Sequence, residues 1–120
     1  MKNNLQAVFG DGLRSRVAVY VPGTSGPADP DSALAERITE EAAARLSELF
    51  GGATISLAAG AWMSADCGLI REAVQIVYSF CSAEQLDKYA EAVRELAEMV
   101  KREMRQEAVS VEIDGALYFI

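Results

Sequence analysis

The chain has 120 residues, 51% of them hydrophobic and 24% charged, a balance that can bury a core and excludes global disorder. Eighteen acids against eleven bases give a net charge of −7, which argues against binding nucleic acid by phosphate neutralisation. Histidine is absent, and with it the commonest general base, the Ser-His and Cys-His nucleophile pairs and a usual zinc ligand.

Cys67 and Cys81 are too far apart for a CxxC motif and are expected as reduced thiols. No apolar run approaches the roughly 20 residues that span a bilayer. The N-terminal MKNNLQAVFGDGLRSR fails as a secretion signal. The expectation is therefore one cytoplasmic domain over 1–120, away from membranes, with no cofactor and no metal.

Residues 1–13 show no sustained period and read as a loosely attached arm or a short extra strand. Arg16–Val21 alternates, with Val17, Val19 and Val21 on one face and Arg16, Ala18 and Tyr20 on the other, which is a strand pattern. Pro22-Gly23 ends it. The following loop, GTSGPADPDS, lies where phosphate can be cradled, but it has no lysine and places aspartates at the next helix start. A plain connection with Asp29 or Asp31 as N-cap explains it better. A helix is predicted from Asp31 to Leu49 on the stripe Leu34, Ile38, Ala42, Leu46 and Leu49, with Gly51 closing it in the left-handed conformation.

Ala53–Trp62 reads as a strand, with Ile55 and Leu57 directed to the core, then a turn through Ser64–Gly68. Leu69–Cys81 is the longest strand candidate. Its heavy face, Ile70, Val74, Ile76, Tyr78 and Phe80, is expected to meet the helices, and Arg71, Ala73, Gln75, Val77, Ser79 and Cys81 to face away. Ser82-Ala83-Glu84-Gln85 is a capping box and opens a helix to about Gln106. Its apolar stripe runs from Leu86 to Met104; opposite lie Glu84, Asp87, Glu91, Glu95 and Glu98, read first as a solvated face. Val109–Ile113 and Ala116–Ile120 flank Asp114-Gly115, a two-residue hairpin signal.

This order predicts an α+β fold, a ferredoxin-like βαββαβ sandwich with two helices on one face of an antiparallel sheet and a C-terminal hairpin extension. The other sheet face is expected to be shallow and to carry Tyr20, Thr54, Ser56, Ala58, Gly60, Trp62, Arg71, Ala73, Gln75, Val77 and Ser110, joined by Leu117 and Phe119. Of these, Tyr20, Trp62, Arg71, Gln75, Val77, Leu117 and Phe119 are the candidates for a ligand or interface surface.

Glu72 is the one candidate acid or base, since a carboxylate on the apolar side of a strand must be paired or have its pKa raised. Its blander reading is a tie to the 64–68 turn. Cys67, in that turn, has no base beside it in sequence and is expected to be an ordinary thiol. Trp62 suits either stacking on a planar ligand or the Arg71 guanidinium, or simple hydrophobic cover.

Gly60-Ala61-Trp62, Gly68-Leu69-Ile70-Arg71-Glu72 and Gln106-Glu107-Ala108-Val109 resemble the G-x-W, G-x-[IL]-x-E and Q-E-x-V signature of a small bacterial domain family of unknown function. The resemblance covers roughly the last two-thirds of the chain. Its members include secreted or lipoprotein-like domains, whereas this chain lacks their export signal. The resemblance implies fold, with Gly60 allowing a close approach or bulge, and it brings no activity.

The leading functional expectation is a non-enzymatic binding or interaction module that forms a homodimer through the open sheet face. One alternative is an acidic inhibitor from a phage or mobile element, whose stripe of Glu84, Asp87, Glu91, Glu95 and Glu98 would occupy a basic groove of a host defence protein. The other is a cofactor-independent small-molecule enzyme using Glu72.

Overall fold

A computed structural model describes residues 3–23 and 31–120. Residues 24–30, with Asp29 and most of the Gly/Ser-rich loop, lie outside the described residues. The elements run α1 (Asn4–Phe9), β1 (Ser15–Pro22), α2 (Ser32–Phe50), β2 (Thr54–Ser64), β3 (Gly68–Cys81), α3 (Ala83–Lys88), α4 (Ala90–Glu103), β4 (Ser110–Ile113) and β5 (Ala116–Phe119). The fold is α+β. Its single five-stranded sheet has the order β2-β3-β1-β4-β5, with every neighbouring pair antiparallel.

The core lies on one face of the sheet. Val17, Val19 and Val21 alternate inward from β1, as their period demands, and cluster with Ile38, Ala42 and Leu46 of α2 and Val93, Leu96 and Val100 of α4. Val109 and Val111 complete it from the last crossover. Gly51 ends α2 at φ 92°, its N–H donating to the Ser47 carbonyl, as a helix closed by a left-handed residue requires.

One expectation about β3 is overturned. Val19 pairs with Val77, and Ala18 with Tyr78, so Val77, Ser79 and Cys81 face the helices, and Val74, Ile76, Tyr78 and Phe80 lie on the open face. The reason is space. The end of α2 closes over β3, where the Ser79 hydroxyl donates to the Gly52 carbonyl at 2.6 Å and Phe50 joins the core beside Val77 and Cys81. Small side chains fit under that loop, whereas Tyr78 or Phe80 would displace it. Bulk alone thus assigned the wrong face.

The second long helix is broken. Ser82 and Gln85 cap α3 reciprocally, at 3.1 and 3.0 Å, but the helix is interrupted at Tyr89 (φ −106°, ψ 14°) before α4. No proline or glycine marks the break. Tyr89 instead meets Phe50 edge to face, with ring centroids 5.8 Å apart. The helix ends at Glu103 rather than near Gln106, and Arg105 takes φ 53°.

Residues near the N-terminus form α1, neither a bare arm nor a strand. It is capped by Asn3 and Gln6, a capping box in which asparagine replaces serine. None of its residues is buried. At the other end, Asp114 and Gly115 both take positive φ, 50° and 85°, the requirement of the two-residue turn joining β4 to β5.

Among the described residues no helix is long and apolar enough to cross a membrane.

Candidate functional site

The open sheet face is neither shallow nor made of small residues throughout. Its middle carries Tyr20, Ile76 and Tyr78, flanked by Phe80, Leu117 and Phe119, of which Phe80 and Phe119 are 52% and 72% exposed. Toward the outer end of β3 the side chains shrink, and there the face sinks into a cavity of about 670 Å³.

Three strands build the cavity. Tyr20 and Pro22 come from β1, opposite Ile76 and Val74. Ala58 and Gly60 come from β2, opposite Val74 and Glu72. The segment from Gln106 to Ser110 lines the remaining side. Gly23 fixes its rim: its N–H donates to the Ala73 carbonyl at 2.9 Å, and a Cβ there would lie 2.9 Å from the Ala73 backbone carbon. Gly60 has no such duty. It pairs regularly with Glu72, and an added Cβ would meet only an ordinary contact at 3.8 Å, so neither bulge nor close approach is present.

Tyr20 and Glu72 mark the two ends. On β3, Glu72 lies four residues from the Tyr20 partner Ile76, or roughly 13 Å along a strand. The Tyr20 hydroxyl donates to Glu112 Oε1 at 3.2 Å. Its pKa is raised, first by burial and then by the Glu112 charge, so it stays protonated at neutral pH. Glu112 also lies 3.8 Å from Arg16 Nε, and the Arg16 guanidinium sits 4.0 Å above the Tyr78 ring. Among the described residues, Arg16 Nε is itself buried without a hydrogen bond. Glu112 therefore orients Tyr20 and balances Arg16. The sequence carried a signal for it: an acid between Val111 and Ile113 must point away from the core those residues join.

Glu72 is exposed and makes no hydrogen bond or ion pair with the described residues. It does not tie the nearby turn, which is held by Ser64 Oγ accepting from the Asp66 and Cys67 amides, both at 3.3 Å. Trp62 shares its face, opposite Ile70, and is half exposed.

Other expected site residues fall elsewhere. Arg71 and Gln75 pair with Ala61 and Leu57 on the face opposite Glu72, because the β3 faces are exchanged. Arg71 reaches only the cavity rim, away from Trp62. Val77 is fully buried in the core and available to no partner. Leu117 and Phe119 do lie on the open face, opposite Glu112 and Ser110.

Glu84, Asp87, Glu91, Glu95 and Glu98 are all exposed. Arg94 is interleaved with them and bonds Glu98 Oε1 at 3.2 Å, which suits a solvated face. Cys67 is exposed and Cys81 buried, both as free thiols. Among the described residues, no three acids or cysteines converge as a metal site would need.

No protein-family model and no curated protein matches the chain. Solved structures resemble it in fold. A phage SAM lyase in complex with S-methyl-5′-thioadenosine is 21% identical, covers 92% of this chain and 91% of its own, and gives a TM-score of 0.57. A phage SAM lyase in the apo state is 17% identical, with 88% and 87% covered and a TM-score of 0.57. CutA from Synechococcus elongatus is 14% identical, with 86% and 77% covered and a TM-score of 0.48. At these identities the likeness to the lyases is one of fold.

Proposed function

We propose that the chain is a ferredoxin-like sandwich that binds an adenosine-bearing sulfonium in the groove between Tyr20 and Glu72 and cleaves it as a lyase. The observation that carries this reading is the groove itself: a cavity of about 670 Å³ with a phenol at one end and, at the other, a carboxylate that has no bond among the described residues. The fold shared with phage SAM lyases over nine-tenths of the chain supports the choice of ligand class.

The chemistry suits a chain without histidine. When the bond between a sulfonium sulfur and an alkyl carbon breaks, the electron pair goes to sulfur. A neutral thioether then departs without needing a proton, so no general acid is required. The carbon's new bond comes from the tail's own carboxylate oxygen, which closes a five-membered lactone as the carbon–sulfur bond breaks, so no outside nucleophile, proton or oxidant is needed. Glu72 holds the α-ammonium of that tail, whose charge does not change in the reaction, so the contact orients the substrate without opposing the step. The small Ala58 and Gly60 side of the groove admits a planar base, and Tyr20, fixed by Glu112, offers its ring and hydroxyl.

Incubation with S-adenosylmethionine, with methylthioadenosine followed by mass spectrometry, tests the reading. The wild type should release methylthioadenosine. Glu72→Gln should not, while still binding methylthioadenosine, which lacks the tail. Absence of product above a protein-free control overturns the lyase reading.

A second reading is favoured by the exposed Phe80, Leu117 and Phe119: a non-enzymatic interaction module that dimerises through the open face, since apolar patches mark contact surfaces. It requires Phe80→Glu to dissociate a dimer in light scattering. A monomeric wild type removes it.

A further inference from the structure

Helix α1 is shaped for packing, yet its apolar side lies in solvent. A helix shorter than about 12–15 residues is marginal in water by itself, and α1 has 6, NLQAVF. It is nevertheless capped at both ends, by Asn3 with Gln6 at the start and by Gly10 at φ 73° at the close. Leu5, Val8 and Phe9 have the spacing that puts side chains on one helix face, and they are 67%, 65% and 80% exposed. A stripe of this kind marks a contact surface.

The chain leads from α1 to an apolar recess. Ser15 Oγ and the Arg16 N–H both donate to the Asp114 carboxylate, at 3.1 and 2.8 Å, which fixes the start of β1 against the β4–β5 turn. Ile113, beside Asp114, pairs with Val17. With Val93, Val111, Tyr118 and Ile120 it lines a recess of about 210 Å³ between α4 and the β4–β5 hairpin, room for an aromatic side chain. The segment 10–14 that joins α1 to β1 spans up to roughly 18 Å when extended, and α1 itself is about 9 Å long, so the recess is within reach. At Gly12 an added Cβ would meet nothing within 4 Å. Packing does not require glycine there; what it gives is freedom for the tether to turn.

We propose that α1 is a strap that folds back onto its own domain, seating Phe9, with Leu5 and Val8 beside it, in the recess between α4 and the β4–β5 hairpin. The exposed position of α1 is the open state. Closing it removes the apolar stripe from water and clamps β5, which lies at the sheet margin beside β4. Because α1 carries no charge, in a chain of net charge −7, it settles against the acidic α4 without repulsion.

Hydrogen exchange and NMR of the full chain test this. The Ala7 and Gly10 amides, which donate to the Asn3 and Gln6 carbonyls, should exchange at least about tenfold more slowly than amides of an unstructured chain. Phe9→Ser and Tyr118→Ser, one on each side of the contact, should each abolish that slowing and speed exchange in β5. The Phe9 ring should show nuclear Overhauser contacts to Ile113, and these should survive when labelled protein is diluted into an excess of unlabelled protein. Unprotected α1 amides in the wild type, or protection that Tyr118→Ser leaves unchanged, overturns the proposal. So does loss of the Phe9–Ile113 contacts on dilution, which would place α1 on another copy. Should either variant fail to fold, the wild-type contacts decide: their presence in the diluted sample supports the strap, and their absence overturns it.

Discussion

Burial sets the behaviour of two titratable side chains. The Tyr20 phenol is raised above its ordinary 10.0 by burial and then by Glu112. The Cys81 thiol is raised above 9.0 by burial and then by the Asp114 charge. In both, the fold favours the protonated form. Their stabilising effect is complete below the ordinary values and is lost as pH rises through the raised ones. Thermal melts should therefore fall off at alkaline pH, beginning above pH 9, and Tyr20→Phe should flatten the upper part of that decline. Of the two thiols, Cys67 should react with a maleimide in the native protein and Cys81 only after unfolding, as mass spectrometry of the labelled chain would record. Glu72, exposed and without a bond among the described residues, should tolerate glutamine within about 0.5 kcal/mol. A large loss of stability in Glu72→Gln would restore it to a structural role and weaken its place in the groove.

The elements show why some features were legible and others were not. Local chemistry read true. Gly51 closes α2, Ser82 and Gln85 cap α3, and Asp114-Gly115 turns β4 into β5, because each depends on residues adjacent in sequence. The facing of β3 did not read true. Apolar residues occupy both of its parities, and what decides between them is the descent of the Gly51–Gly52 loop onto Ser79, a contact with |i−j| = 27. The break at Tyr89 is of the same kind, set by packing near Phe50. The groove was half legible. Tyr20 and Glu72 were singled out, but they share a cavity only because β1 lies beside β3, and Glu112 enters from a third strand.

Paired substitutions check the register. Val77→Ser should cost about 2–3 kcal/mol, since a fully buried valine is lost and a hydroxyl enters the core, whereas Ile76→Ser on the open face should cost about 1 kcal/mol or less. Chemical denaturation of the two variants would measure the difference, and the reverse order would return the heavy face of β3 to the core. Gly23→Ala should cost roughly 1–3 kcal/mol by overpacking against the Ala73 backbone, and should weaken ligand binding at the rim it displaces.

At the scale of the molecule, one sheet divides the labour. Its inner face, from Val17 to Val111, packs against α2 and α4 to form the core. Its outer face carries a polar network that crosses from β1 to β4, through Tyr20, Glu112 and Arg16, together with the cavity that ends at Glu72. Much of the acidic charge lies on solvated helix surface, at Glu84, Asp87, Glu91, Glu95 and Glu98, apart from the groove. Ligand binding in the groove is measured most directly by titrating isotopically labelled protein with methylthioadenosine and following the backbone amides by NMR. Saturable shifts should be confined to the groove, at Tyr20, Gly23, Ala58–Gly60, Glu72–Val74 and Ala108–Ser110. No shift at saturating ligand, or shifts confined to the exposed face of α4, would contradict binding there.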